Sequence, residues 1–151
     1  MSKSAIFIVG FFVLGLGLFI WNGTRPLDQP GHTMTTPDLS RVDAGAPIVE
    51  VTRPAEFSAN AEIGKRAFEA KCAACHGANS AGQNGVAPPL VHKIYEPSHH
   101  ADMAFVMAAQ NGVRAHHWNF GDMPPVEGLT QGDVKMIATY VRELQRANGI
   151  N

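Results

Sequence analysis

The chain has 151 residues, 12 Lys and Arg against 13 Asp and Glu, a formal net charge of −1 and 45% apolar residues. That length suffices for one domain with extensions, and the near-neutral charge gives no nucleic acid partner. The only two cysteines stand three positions apart, which argues against a disulfide framework.

Residues 5–20 run Ala-Ile-Phe-Ile-Val-Gly-Phe-Phe-Val-Leu-Gly-Leu-Gly-Leu-Phe-Ile without a charge, and Trp21 closes the run. An aromatic ring there suits a membrane interface. As a helix the stretch spans about 24 Å, slightly less than the ~30 Å hydrocarbon layer. With Lys3 as a positive flank it also fits a cleaved signal peptide, yet no small-x-small cleavage site follows within Phe19–Arg25. Residues 1–21 are therefore expected to be an uncleaved single-pass anchor in the cytoplasmic membrane. The rest of the chain then lies on the outer, periplasmic side, provided Lys3 stays inside.

From residue 22 to 57 prolines recur at 26, 30, 37, 47 and 54 among scattered Thr, Asp and Gly. No periodicity persists, so a flexible Pro-rich linker is expected. The folded domain should occupy 58–151. Ser58 or Asn60 can cap a helix to about Lys71, with Ile63, Ala67 and Ala70 on one face and Phe68 beside it. Residues 77–97, rich in Gly, Pro and Asn, read as loop. Ser98 can cap a helix to about Gln110, with Gly112 placed to end it. The last helix should run from about Thr130 to Ala147, with Val134, Ile137, Ala138, Val141 and Leu144 as its apolar stripe. So few helices around such long loops make a poor core for an all-α domain, and a bound cofactor would complete it.

Cys72-Ala73-Ala74-Cys75-His76 is C-x-x-C-H, the attachment signature for c-type haem. Two thiols three apart at a helix end can each form a thioether to a vinyl group on one porphyrin edge, and the adjacent His76 supplies an imidazole to the iron. A zinc knuckle would want a second ligand pair at matching spacing. A thioredoxin-like pair would want a preceding strand, where this sequence predicts a helix.

With these residues in view, 58–151 resembles the class I cytochromes c. The resemblance implies three to four helices wrapped around one covalent haem c. It implies a close crossing of the first and last helices at Gly64, flanked by Phe68 and Tyr140. Glycine inside a helix costs about 1 kcal/mol, which a need for backbone approach would explain. Gly85-Val86-Ala87-Pro88-Pro89-Leu90 resembles the loop whose proline carbonyl accepts a hydrogen bond from the haem histidine, with Pro88 the better match. Gly121-Asp122-Met123-Pro124-Pro125 resembles the distal Met-Pro segment, which makes His76 and Met123 the implied iron ligands. Met103 and Met107, four apart on a predicted helix, are expected in the core or against the haem, and Trp118 and Phe120 along the haem crevice. His116 and His117 precede Met123 closely enough to leave bis-His ligation open. With His99 and His100 they also raise copper binding, for which sequence fixes no geometry.

The implied function is a non-enzymatic single-electron carrier in a respiratory-type chain, with the membrane and redox proteins as partners. A fixed subunit of a larger oxidase or dehydrogenase shares that chemistry. A haem enzyme or gas sensor would need an open iron position and a recognisable acid–base pair. From residue 58 onward eight Lys and Arg balance eight Asp and Glu, so docking should rely on a small apolar patch more than on charge steering.

Overall fold

The computed structural model describes residues 3–24 and 34–151, with side chains of the first helix described at 4, 5, 8 and 10–21. The chain divides into two compact units, Met1–His32 and Thr33–Asn151. The first is helix α1, Lys3–Thr24. Its 22 residues make an element about 33 Å long, with Phe11, Phe12, Leu14, Phe19 and Trp21 each more than half exposed. Among the described residues no helix is long and apolar enough to cross a membrane. The case for an anchor therefore rests on the apolar run in the sequence.

The second unit holds α2 (Ala59–Lys71), the single turn α3 (Ala73–His76), α4 (Asp102–Asn111) and α5 (Gln131–Ala147), with short 3₁₀ turns at Ala78–Ser80 and Lys93–Tyr95. Among the described residues no β-strand forms; only isolated bridges join Gln83 to Ala87 and Val113 to Met123. Ser58 caps α2 by accepting from the Ala61 amide. Thr130 caps α5 in a reciprocal box with Asp133. Such caps satisfy amides that have no partner within the helix.

The core is the crossing of α2 and α5. A Cβ added at Gly64 would overlap the Met136 carbonyl oxygen and stand 2.8 Å from the Ile137 nitrogen. Only glycine allows the two backbones this close. Phe68 and Tyr140 flank the crossing with ring centroids 5.6 Å apart, and Phe57 lies 5.3 Å from Tyr140 on the other side. Val91, Ile137, Val141 and Leu144 complete the cluster. Two expectations for α2 are corrected here. Its buried positions are Ala61, Gly64 and Phe68, whereas Ile63 is 45% exposed and Ala70 is exposed. With 100° between successive residues, turning Gly64 onto α5 carries Ile63 off the interface.

Further departures follow from hydrogen bonds that side-chain patterns do not announce. The expected flexible linker 22–57 is divided: residues 25–33 lie outside the described residues, while 42–57 lie along the domain. The Asn84 side chain donates to Val42 O, and backbone bonds join Gly45 to Asn84, Ala46 to Asn84, and Ile48 and Val49 to Ala81. Thr52 and the Asn148 side chain exchange two bonds of 3.0 and 2.8 Å, and Val51 and Phe57 pack on the core. Helix α4 begins at Asp102 behind Ala101, with no side-chain cap. Ser98, the expected cap, donates to Glu96 Oε1 instead. Met103 and Met107, expected in the core or against the haem, lie outside the core at about half exposure, because Val106 and Ala109 form the buried side of α4.

Candidate haem site

The C-x-x-C-H motif folds as one helical turn continuing from α2. Cys72 donates to Phe68 O at 2.7 Å and so caps α2, while its own carbonyl accepts from the Cys75 and His76 amides at 3.1 and 2.8 Å. One turn thus gathers both sulfurs and the imidazole. Cys72 is half-buried, Cys75 exposed and His76 buried. The Gln83 amide donates to Ala74 O at 2.8 Å and Ala73 O at 3.4 Å, and the Gly82 amide to His76 O at 2.7 Å. The carbonyls at the end of the turn are therefore satisfied by the loop that follows. Gln83 was not legible as a site residue, since a lone Gln among glycines carries no signature.

His76 Nδ1–H donates to the Pro88 carbonyl at 2.9 Å. A carbonyl can only accept, so this bond fixes the tautomer and leaves the Nε2 lone pair for a metal. Burial lowers the His76 pKa, opposed by the bond to Pro88, so the ring is neutral at neutral pH, as a ligand must be. Burial, then the neighbouring Cys75, pushes the Cys72 thiol up to about 11. A thioether in its place carries no ionisable group and meets no such penalty.

Tyr140 donates to Asn79 Oδ1 at 3.3 Å, which links the helix crossing to the loop after the motif. Its phenol is pushed up to about 12, first by burial and then by Glu69. Gly64, Phe68 and Tyr140 thus support the motif from behind.

Met123 belongs to a separate construction. Its amide and carbonyl pair with those of Val113 at 2.9 Å each. The Ala115 amide donates to Asp122 Oδ1 at 2.8 Å, and Val126 donates to Ala109 O at 2.8 Å. Gly112, with φ +73, ends α4; a Cβ there would lie 2.5 Å from Met123 O. The distal segment therefore lies against the C-terminus of α4. Trp118 is buried between His92, 5.4 Å away edge-on, and Phe120, stacked at 5.6 Å.

The residues present fit a haem. The Trp118 indole N–H is buried with no hydrogen-bond partner of normal geometry, although it lies near enough to Tyr95 to favour the phenolate slightly against the larger effect of burial. An unpaired buried donor costs about 1–3 kcal/mol, which an acceptor on a bound group, such as a haem carboxylate, would offset.

The Cytochrome c family model matches residues 61–145, more than half of the chain. The chain belongs to the cytochrome c family. Members bind covalent haem c, one per domain as a rule, so the cofactor is one haem c and the chain's role is electron transport with redox partners. The all-helical second unit agrees with that fold. No curated protein and no solved structure gives a significant match.

One feature that sequence reasoning missed lies behind the site. Arg142 is buried on α5 and donates to Asp102 Oδ1, Tyr95 O, Gln145 Oε1 and His100 O. Gln145, also buried, donates to Leu90 O at 2.7 Å and Tyr95 O at 3.0 Å. Both read as solvent-facing in a helical pattern, yet they pin the loop between the two halves of the site.

Proposed function

We propose that this cytochrome is a single-electron carrier, not an enzyme, with His76 and Met123 as axial ligands. Its haem domain is held on the periplasmic face of the cytoplasmic membrane by the N-terminal apolar run, within a respiratory-type chain. The observation that carries the reading is the buried His76 ring, held by Pro88 O in the same turn as both cysteines. When bound, the haem supplies the one-electron Fe(III)/Fe(II) couple. His76 presents Nε2 and cannot rotate without breaking its bond to Pro88. The Met123 thioether, a soft ligand that would raise the potential, would then leave no iron position for substrate. The anchor rests on the uncharged run 5–20 closed by Trp21.

The test is optical. Met123→Ala should abolish the weak long-wavelength sulfur-to-iron band of the oxidised protein and lower its potential, with haem still resistant to acid–acetone extraction. Loss of the band in Met103→Ala or Met107→Ala instead, or fast carbon monoxide binding by the reduced wild type, would sink the assignment.

A fixed subunit of an oxidase or dehydrogenase is favoured by one observation. Residues 42–57, expected as free tether, are bonded to the domain, which shortens the stretch available for swinging between partners. Co-purification of a stoichiometric complex that survives high salt distinguishes the two.

A further inference from the structure

Three imidazoles outside the haem-attachment turn converge at one end of the second unit. One ring nitrogen from each of His100, His116 and His117 lies within 4.8 Å of the others. They come from two segments: His100 stands just before α4, and His116–His117 follow it in the loop leading to Met123. The His116 and His117 rings are 4.2 Å apart, and His100 is 5.4 Å from His117.

The surroundings orient these rings as ligands. His100 Nδ1–H donates to Ile94 O at 2.7 Å, and His116 Nδ1–H to Arg114 O at 2.8 Å. Each ring is thereby fixed in the tautomer that leaves Nε2 with a free lone pair. A backbone carbonyl on the far nitrogen is a regular companion of metal-bound histidine. The His100 backbone is itself held by the Arg142 guanidinium, so the segment is anchored from α5. Tetrahedral zinc, with bonds of about 2.0–2.1 Å, requires nitrogens roughly 3.3 Å apart. Ring rotation, freest at exposed His116, would have to close the gap that remains at separations of up to 4.8 Å. Among the described residues no cysteine or carboxylate joins the set, and three imidazoles with an open position suit zinc or copper better than calcium or magnesium.

We propose that His100, His116 and His117 form a second metal site, separate from the haem iron, that takes one divalent ion of the zinc–copper class. The fourth position is open to water or to a ligand from another molecule. The site joins the segment before α4 to the loop that leads to Met123, so occupancy would tie those two segments together.

The test uses the full-length, haem-loaded protein in detergent. Calorimetric titration with zinc chloride should give one equivalent per haem. Copper(II) should compete and show nitrogen superhyperfine structure in its paramagnetic resonance spectrum. His117→Ala and His116→Ala should each weaken zinc at least about tenfold, with the haem spectrum unchanged. His99→Ala, outside the cluster, should leave affinity as it was. Zinc binding weaker than millimolar in the wild type would overturn the proposal, as would equal affinity in the His116→Ala/His117→Ala double variant. Loss of the low-spin haem spectrum in either single variant would also overturn it, by assigning these rings to the haem iron.

Discussion

The proximal and distal halves of the site are held in different ways. On the proximal side, His76 is fixed by a single turn, by Pro88 and by a helix crossing in which backbone meets backbone at Gly64. On the distal side, Met123 is fixed by a two-bond ladder to Val113 and by a glycine that lets the strand-like segment approach α4. The first arrangement is buried and cannot yield without separating two helices. The second is shallow: Asp122, Pro124 and Pro125 are exposed and Met123 is only half-buried. His76 is thus part of the core, while Met123, the proposed second ligand, is carried by a shallow loop.

That contrast can be broken most severely at Gly64. Alanine would ordinarily strengthen a helix by about 1 kcal/mol, but here its Cβ overlaps the Met136 carbonyl. Gly64→Ala should destabilise the haem protein by about 3 kcal/mol, the upper end for overpacking, in guanidinium unfolding. An unchanged midpoint would show that the crossing is not rigid.

A somewhat smaller loss is expected on removing residues 1–57. The domain would lose Phe57 against Tyr140, Val51 against the core and both Thr52–Asn148 bonds. About 2 kcal/mol of stability should go, the lower end for truncating large core side chains. A chain beginning at residue 34 should keep it. Equal unfolding midpoints for the two truncations would return 34–57 to the status of a free linker.

Gly112→Ala should cost less stability but act directly on ligation. Its φ of +73 and the 2.5 Å approach to Met123 O predict about 1–3 kcal/mol of strain. The sulfur-to-iron band should weaken, with His76 unaffected. The same change leaving the band intact would mean that the ladder does not position Met123.

The smallest expected effect is a dependence on pH. Burial lowers the His92 pKa below 6.5, so between its folded value and 6.5 the unfolded chain binds more protons than the folded one. This contribution is fully present above about pH 6.5 and is lost as pH falls through that window. Acid should therefore weaken the distal cluster around Trp118, and His92→Gln should flatten the slope of stability against pH. An unaltered slope would remove His92 from the account.

Local patterns in the sequence carry much of this. The helical turn at 72–76 follows from its own hydrogen bonds. Gly64 stood out as a helix breaker inside a helix, and Thr130 and Asp133 are three apart, as a capping box requires. What was not legible depends on partners remote in sequence. The strip 42–57 is held largely by backbone groups, which every residue has. Arg142 and Gln145 are polar in pattern yet buried, because carbonyls at 90, 95 and 100 surround them. Ile63 is apolar yet exposed, because the rotation of α2 is set by its one glycine. The three histidines near α4 meet only once the chain after that helix has run back to residue 100.

The turn holding Cys72, Cys75 and His76 closes over five residues, whereas the crossing it supports joins positions 64 and 136. Forming the turn fixes little chain, while closing the crossing confines a loop of more than seventy residues, whose entropic cost grows with its length. Local contacts of the first kind form early and distant ones late. On that ordering the attachment turn is expected to form before α5 docks, when Cys72, half-buried in the folded domain, would be as open to covalent chemistry as the exposed Cys75.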